Sequence, residues 1–348
     1  MKKSDFRGLC HVILQLGLLA ITGTLAYFIY SRINAANWIW SVPLLLLALF
    51  VHGSFFWSCT GPGVHELCHK TPFRSNALNE FFLKVYSFIS WGNHIFFRVS
   101  HSKHHQFTVH DDYDGEVVLP QKLDWQSVGF FVTQLTINPI GIFKKLRFFW
   151  GSARNNDSHW KAMGPWMNQV LPESNPMLRR EHCNWARTLV LGHLALALLF
   201  IVTGHWFLIV VFTFGTYYCG WLSTVLSATQ HIGLSPNVSD FRLCCRTYTC
   251  SWLPGFLYWN MQYHIEHHMF PAVPFYNLPK LRKAIEQDLP PVKHGLWATW
   301  MEVLPIIQRQ REDPSYVFVP KLPQQSSSEQ AGQYHETGAP LCAGRDKF

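Results

Sequence analysis

Long apolar runs constrain the fold of this chain more than any other feature. A helix needs roughly 20 apolar residues to cross the hydrocarbon core of a bilayer, and four stretches of the sequence have about that length and character: 11–30, 38–58, 188–203 and 206–228. Gly204 and His205 form the predicted tight turn between the last two stretches. The sequence therefore predicts an all-α integral membrane protein with four transmembrane helices.

The first run could also belong to a secretory signal, because Lys2, Lys3 and Arg7 precede it. The apolar part of such a signal is shorter, at about 7–15 residues, and ends before a small-residue cleavage site. No such site follows Tyr30. We therefore expect the first run to be retained as a helix.

The basic residues predict how the chain is oriented. The 29 Lys and Arg exceed the 21 Asp and Glu, giving a net charge of +8. With four spans, Arg32 lies on one side of the membrane and the other 28 basic residues lie on the opposite side. Because basic loops stay in the cytoplasm, both termini should be cytoplasmic, at the endoplasmic reticulum of a eukaryote or the inner membrane of a bacterium. This bias accounts for the charge, so no nucleic-acid partner is expected.

The remaining segments predict a helical cytoplasmic cap on one membrane domain. Residues 77–100 and 125–149 are apolar with interspersed basic residues, as in helices that lie in the membrane interface. We expect a cytoplasmic N-terminus over 1–10, the membrane domain over 11–311, and a disordered tail over 312–348. The tail prediction depends mainly on residues 324–348, which are rich in Ser, Gln and Gly.

Three clusters concentrate eight of the 19 histidines. The first cluster is His65-Glu66-Leu67-Cys68-His69, the second is His101-Ser102-Lys103-His104-His105, and the third is His264-Ile265-Glu266-His267-His268. On a helix, positions i, i+3 and i+4 share one face, so each cluster directs its imidazoles to one side. A lone His-x-x-x-His is commonly a coincidence of a surface helix, but two His-x-x-His-His strings indicate a shared centre.

A metal centre is the interpretation that satisfies these imidazoles. Charged rings would repel one another, and neutral buried rings would need partners for their nitrogens, whereas neutral imidazole is a common metal ligand. Eight ligands exceed one octahedron and therefore predict two ions. Imidazole suits zinc, copper, iron and nickel, but structural zinc sites close at four ligands. We therefore expect two redox metals, with iron the natural choice for oxygen activation.

An alternative from another class is an intramembrane zinc metalloprotease. The first cluster has two histidines at i and i+4 with a glutamate between them, as in the zincin motif. This alternative accounts for one cluster and leaves the other two without a role.

Motifs around the clusters extend the pattern. These are Gly63 to Glu66, His104 to Thr108 (HHQFT), Gln230 to Gly233 (QHIG) and Tyr263 to Pro271 (YHIEHHMFP). Over about residues 40–285, the chain resembles the membrane fatty-acid desaturase superfamily. The resemblance implies a four-span fold, three histidine boxes and a non-haem di-iron centre. It implies metal ligation by nine residues: His65, His69, His101, His104, His105, His231, His264, His267 and His268.

The resemblance also implies an O2-dependent oxidoreductase that contains two Fe ions. Desaturation of a fatty acyl or lipid chain is our main expectation, and hydroxylation or ketolation of a lipid, isoprenoid or specialised metabolite is the alternative. Neither iron–sulfur cysteines, a dinucleotide-binding fingerprint nor a haem-domain motif occurs in the sequence. Electrons should therefore come from a separate b-type cytochrome or ferredoxin at the cytoplasmic face.

Several residues outside the nine proposed ligands have expected roles of their own. Glu66 and Glu266 could orient ligating imidazoles by accepting a ring N–H, and the acidic residues after the second cluster could support ligands or lie near the substrate: Asp111, Asp112, Asp114 and Glu116. Asn260 could hold a metal-bound water or cap a helix. We expect structural roles for four further histidines: His11, His52, His193 and His205. His94, seven residues before His101, is expected either in the core or in contact with a metal-ligating side chain.

Overall fold

The computed structural model describes residues 1–119, 127–218 and 220–323. Most of the predicted disordered tail, from Gln324 to Phe348, lies outside the described residues. Residues 313–323, which we also assigned to the tail, do contact the rest of the protein, since the backbone N–H of Phe318 donates to the carbonyl of Gly233 at 2.7 Å. The first two residues of the predicted interfacial stretch 125–149 also lie outside the description.

The described chain is mainly helical. In chain order the α-helices are α1 (Asp5–Ser31), α2 (Trp38–Ser58), α3 (Val64–Cys68), α4 (Asn76–Ile89), α5 (His94–Gln106), α6 (Val128–Leu135), α7 (Pro139–Arg154), α8 (Asp157–Ala162), α9 (Gly164–Val170), α10 (Pro176–Val202), α11 (Phe241–Cys244), α12 (Trp252–Leu257), α13 (His264–Met269), α14 (Leu278–Ala284) and α15 (Leu296–Glu312). Two short strands, β1 (Tyr248–Thr249) and β2 (Lys293–His294), pair in parallel.

Three helices of the described chain are long and apolar enough to cross a membrane. They are α1, the continuous helix over Trp38–Cys68 that joins α2 to α3, and α10. They coincide with the first three predicted spans. Many of their large apolar side chains are exposed in the isolated protein, for example Ile21 at 64% and Leu198 at 62%, which is the pattern of a helix that faces lipid.

The region of the fourth predicted span differs from the single helix that we expected. Residues 206–228 contain short π and 3₁₀ segments instead: Ile209–Thr213, Gly215–Tyr217, Ser223–Ser227 and the start of Ala228–Gln230. Tertiary donors take carbonyls that a regular α-helix would bond internally. His52 Nε2 donates to Val211 O at 3.1 Å, Trp91 Nε1 donates to Thr213 O at 2.8 Å, and Trp300 Nε1 donates to Val225 O at 3.0 Å. These bonds compete with α-helical geometry along the segment.

The predicted interfacial stretches each contain two helices. Residues 77–100 divide into α4 and α5 at Ser90–Asn93, where Trp91 has a positive φ of 51° and the Asn93 side chain accepts from Ile95 N at 3.2 Å to begin α5. Residues 125–149 contain α6 and most of α7. The break before α5 matters for function, because it starts the helix that carries the second histidine cluster.

The main core lies where α1, α2, α4 and the segment after α12 meet. Its largest fully buried side chains include Phe56, Tyr86 and Trp259. Close packing requires a glycine at Gly215, since a Cβ there would lie 2.2 Å from Phe56 Cε2. Gly17 on α1 has nothing within 4 Å of the same position.

This contrast predicts different effects for two alanine substitutions. Gly215→Ala should destabilise the protein by about 1–3 kcal/mol, because the ring of Phe56 must move within a packed core. Gly17→Ala should leave stability unchanged or raise it slightly, because alanine favours helix and meets open space. Thermal unfolding of the detergent-solubilised variants measures both effects. Equal melting temperatures for the two variants would contradict the prediction that a side chain at position 215 disturbs the packing of Phe56.

Candidate metal centre

The first histidine cluster is a continuation of α2. Pro62 has no N–H for a bond to the preceding turn, and the helix widens there into a π turn over Cys59–Gly63 before α3 begins. At Gly63 a Cβ would lie 2.7 Å from Tyr86 Cε2, so a glycine allows α4 to pack against this turn. His65 and His69 are thereby held at the end of the helix, facing the other clusters.

The second and third clusters lie on α5 and α13. His101, His104 and His105 occupy the last two turns of α5. The third cluster forms almost all of α13, and the hydroxyl of Thr247 holds its first turn by accepting from Ile265 N at 3.1 Å and donating to Glu266 Oε2 at 2.6 Å. The helices thus present all three clusters to one interior space.

Five imidazoles converge into what we call the five-histidine group: His65, His69, His101, His105 and His267. Their Nε2 atoms face one another closely. His65 Nε2 lies 2.8 Å from His267 Nε2 and 2.9 Å from His101 Nε2. His105 Nε2 lies 3.1 Å from both His101 Nε2 and His267 Nε2. All five rings therefore direct the same nitrogen to one point.

Four further imidazoles form the four-histidine group: His104, His231, His264 and His268. His264 Nε2 lies 2.9 Å from His231 Nε2 and 3.0 Å from His268 Nε2. All four residues are buried. The two groups adjoin, since the rings of His105 and His268 stack at a centroid distance of 4.3 Å. The structure therefore brings together all nine histidines that the family resemblance implied as metal ligands.

The spacing of these nitrogens fits metal ions. Hydrogen bonding cannot satisfy five converging Nε2 atoms, because a neutral imidazole offers one donor and one acceptor. Two nitrogens that are each about 2.1 Å from one ion and at right angles to each other lie about 3.0 Å apart. The observed separations of 2.8–3.1 Å match that value. The donor set is therefore suited to one ion in each group.

Groups behind the rings set which nitrogen carries the proton. His231 Nδ1 donates to the carbonyl of Cys244 at 2.8 Å, which leaves its Nε2 lone pair free. Thr108 Oγ1 donates to the His104 carbonyl at 2.6 Å and so accepts from His268 Nδ1 at 3.1 Å. Such outer partners orient metal-binding imidazoles and raise their basicity.

Two carboxylates after the second cluster act in the same way. His104 Nδ1 lies 2.7 Å from Asp114 Oδ2, and His101 Nδ1 lies 2.9 Å from Glu116 Oε2. Asp114 is itself held by the N–H groups of Val109 at 2.8 Å and Glu116 at 2.9 Å. The other two acidic residues of that stretch, Asp111 and Asp112, are exposed and contact neither group.

Burial keeps the rings of the third cluster and of His231 neutral. Burial, followed by repulsion from neighbouring imidazoles, lowers the pKa of His264, His267 and His268 well below the usual value of 6.5. The pKa of His231 falls to about 3 for the same two reasons. Neutral imidazoles have a free lone pair, and metal coordination requires that form.

The two glutamates inside the clusters differ from each other. Glu66 is fully buried, with Oε1 3.6 Å from His267 Nδ1 and Oε2 accepting from Thr71 Oγ1 at 3.0 Å. Glu266 contacts no imidazole nitrogen closely but pairs with Arg282 Nη1 at 3.0 Å. Glu66 thus faces the site, whereas Glu266 fastens α13 to α14.

Sequence reasoning missed the residues that hold the loop of His231. Arg246 donates through Nη1 to the carbonyls of Thr229 and Ile232, on either side of His231, and the Gln230 side-chain amide lies 2.9 Å from His264 Nδ1. Gln230 precedes His231 in the QHIG motif, so its position beside a predicted ligand could have indicated a role at the site. Arg246 lies in no motif and could be recognised only in the folded chain.

The five histidines for which we expected other roles, together with Asn260, belong to neither group. His52 donates to Val211 O, and His193 donates to Phe88 O at 3.0 Å. His94 packs edge-on against the ring of Trp185. Asn260 donates to Phe275 O at 3.3 Å. Two more histidines contact aromatic rings: His11 and His205.

A cavity of about 760 Å³ leads to the centre. Imidazoles of both groups line it: His65, His101, His104, His231 and His264. Most of the other lining side chains are apolar or aromatic, among them Trp57, Phe97, Phe149 and Tyr258. Its volume is within the range of pockets that bind small-molecule ligands.

Comparison with known proteins identifies the family. A family model described as fatty acid desaturase matches residues 36–300. The chain belongs to the fatty acid desaturase family. No curated protein matches it. Membership makes this chain a membrane oxidoreductase of a di-iron family, and the two histidine groups agree with that assignment.

Measurements of metal affinity test whether Asp114 orients the His104 ring for metal binding. Asp114→Asn should weaken metal binding about 10–100-fold, because it removes the anionic partner that orients His104. Asp112→Asn is the matched control, since Asp112 is exposed two residues away. Metal content of the purified variants after dialysis against chelators of graded strength measures the effect. Equal metal retention by both variants would contradict the role assigned to Asp114.

Proposed function

We propose that this protein is a di-iron, O2-dependent desaturase that introduces a double bond into a fatty acyl or lipid chain. The observation that carries the proposal is the convergence of nine imidazoles into two adjoining groups, in a chain of the fatty acid desaturase family. Beside them lies a cavity whose lining includes apolar and aromatic side chains. The five-histidine group would hold one iron and the four-histidine group the other.

The protein's contribution is placement and protection. The two histidine groups would hold two irons, which would supply the oxidising chemistry needed to remove hydrogen from an unactivated C–H bond. The cavity would align an apolar chain beside the imidazoles and keep water from the reacting carbon. Asp114, Glu116 and the Cys244 carbonyl would hold the rings in the tautomer that leaves Nε2 free.

Hydroxylation or ketolation is the alternative within the same chemistry. Both outcomes begin with removal of one hydrogen, and they differ in whether a second hydrogen leaves or oxygen is added. The same ligand set serves each outcome, so the fit of the substrate in the cavity decides between them. We favour desaturation because the family is described by that activity.

The protease alternative has less support. A zincin glutamate must reach a water on the metal and an incoming peptide. Glu66 is instead fully buried and bonded to Thr71. His65 and His69 also belong to a group of five histidines, which leaves little room for the open position that a catalytic zinc needs.

We further propose the membrane arrangement. The region 206–228 would complete a fourth crossing despite its π and 3₁₀ segments, because it lies against α2 through His52 and Val211. Four crossings within a domain over 11–311 would place both termini in the cytoplasm, with the histidine groups at that face.

An external b-type cytochrome or ferredoxin would deliver electrons at this cytoplasmic face. The membrane would be the endoplasmic reticulum of a eukaryote or the inner membrane of a bacterium.

Lipid and metabolite profiling tests the reaction. Cells that express the protein should accumulate a lipid two hydrogens lighter than its precursor, and His104→Ala should abolish this product and lower the iron content, because it removes a ligand of the four-histidine group. His205→Ala is the control, since His205 contacts Tyr27 rather than either group.

A product that carries an added oxygen would replace desaturation with the hydroxylase alternative. Full product formation by the His104→Ala variant would overturn the proposed centre itself.

A further inference from the structure

One cation lies in the wall of the cavity that leads to the histidines. Lys145, on α7, lines this cavity together with five imidazoles. Its Nζ donates to the carbonyl of Ser90 at 3.0 Å, just past the last residue of α4. It also lies 5.3 Å from the centre of the Tyr217 ring. These two contacts hold the ammonium at the cavity wall rather than in bulk solvent.

The Lys145 ammonium has N–H donors available for a further hydrogen-bond partner. A lysine side chain has three N–H donors, and one protein carbonyl takes one of them. No ion pair joins Lys145 to a carboxylate of residues 1–119, 127–218 or 220–323. Glu116, the carboxylate on the same cavity wall, contacts Ser100 and His101 instead.

Such a cation is costly unless an anion approaches it. The Lys145 side chain is half-buried, and this burial lowers its pKa to about 8, because a charge moved away from water without a partner is destabilised. The partial negative charge at the end of α4 and the face of Tyr217 offset part of this cost. An anionic group in the cavity would offset more and would use the two free donors.

We propose that Lys145 binds the anionic headgroup, a carboxylate or a phosphate, of an amphiphilic substrate whose apolar chain extends along the cavity toward the histidine groups. This inference deepens the proposed function by giving the substrate a charge. Lys145 is then a specificity-determining residue, because neutral lipids of the same chain length would lack its hydrogen bonds.

Direct binding tests the proposal without turnover. Full-length protein in detergent is titrated with dodecyl phosphate, dodecanoate and, as the uncharged probe, dodecanol. Wild-type protein should bind at least one of the two anions about ten- to a hundredfold more tightly than the alcohol, because a hydrogen bond to a charged group adds that much affinity. Preference for one anion over the other distinguishes a phosphate from a carboxylate headgroup.

Two variants locate the effect. Lys145→Met should remove the preference for the anion and leave dodecanol binding unchanged, and Lys145→Arg should retain part of it. Lys144→Met is the matched control, since Lys144 is the exposed neighbour on the same helix.

Equal affinity of the wild-type protein for all three probes would overturn the inference, even if Lys145→Met fails to fold. Equal weakening of every probe in Lys145→Met would also overturn it, because that result indicates a structural role. Neither measurement requires iron or product, so failure of this inference is distinguishable from failure of the proposed reaction.

Discussion

The structure depends on nine imidazoles whose ring nitrogens crowd together in two adjoining groups. Hydrogen bonds alone cannot satisfy such an arrangement, since each neutral ring has one donor and one acceptor. Burial keeps His264, His267 and His268 out of the charged form. The Cys244 carbonyl and the Thr108 hydroxyl accept the Nδ1 protons of His231 and His268. The fold therefore brings together imidazole lone pairs that two metal ions could coordinate.

Departures from regular helix position this centre. The π turn at Cys59–Gly63 carries α2 into the first cluster, and the break at Ser90–Asn93 starts the helix of the second. The π and 3₁₀ segments between 209 and 230 lead to His231. The side chains of His52, Trp91 and Trp300 donate hydrogen bonds to carbonyls of these segments. These protein donors satisfy carbonyls that the irregular backbone leaves without an α-helical partner.

Much of the centre was predictable because its information is local. The i, i+3, i+4 spacing of the three clusters is a helical period, so it indicates which imidazoles share a face without knowledge of the fold. The family resemblance added His231. The backbone of the fourth predicted span was harder to predict. The apolar composition of 206–228 predicts a helix, whereas donors from distant helices bond carbonyls of its described residues.

The sequence by itself determined the membrane class, three long helices and the set of histidines, because hydropathy and helical spacing are properties of neighbouring residues. Only the tertiary structure decided how the nine rings divide, with His267 joining the first cluster and His104 joining His231. It also decided the roles of Arg246, which holds the loop of His231, and of Lys145, which lines the cavity. Those roles arise from contacts between segments far apart in the chain, which no local pattern encodes.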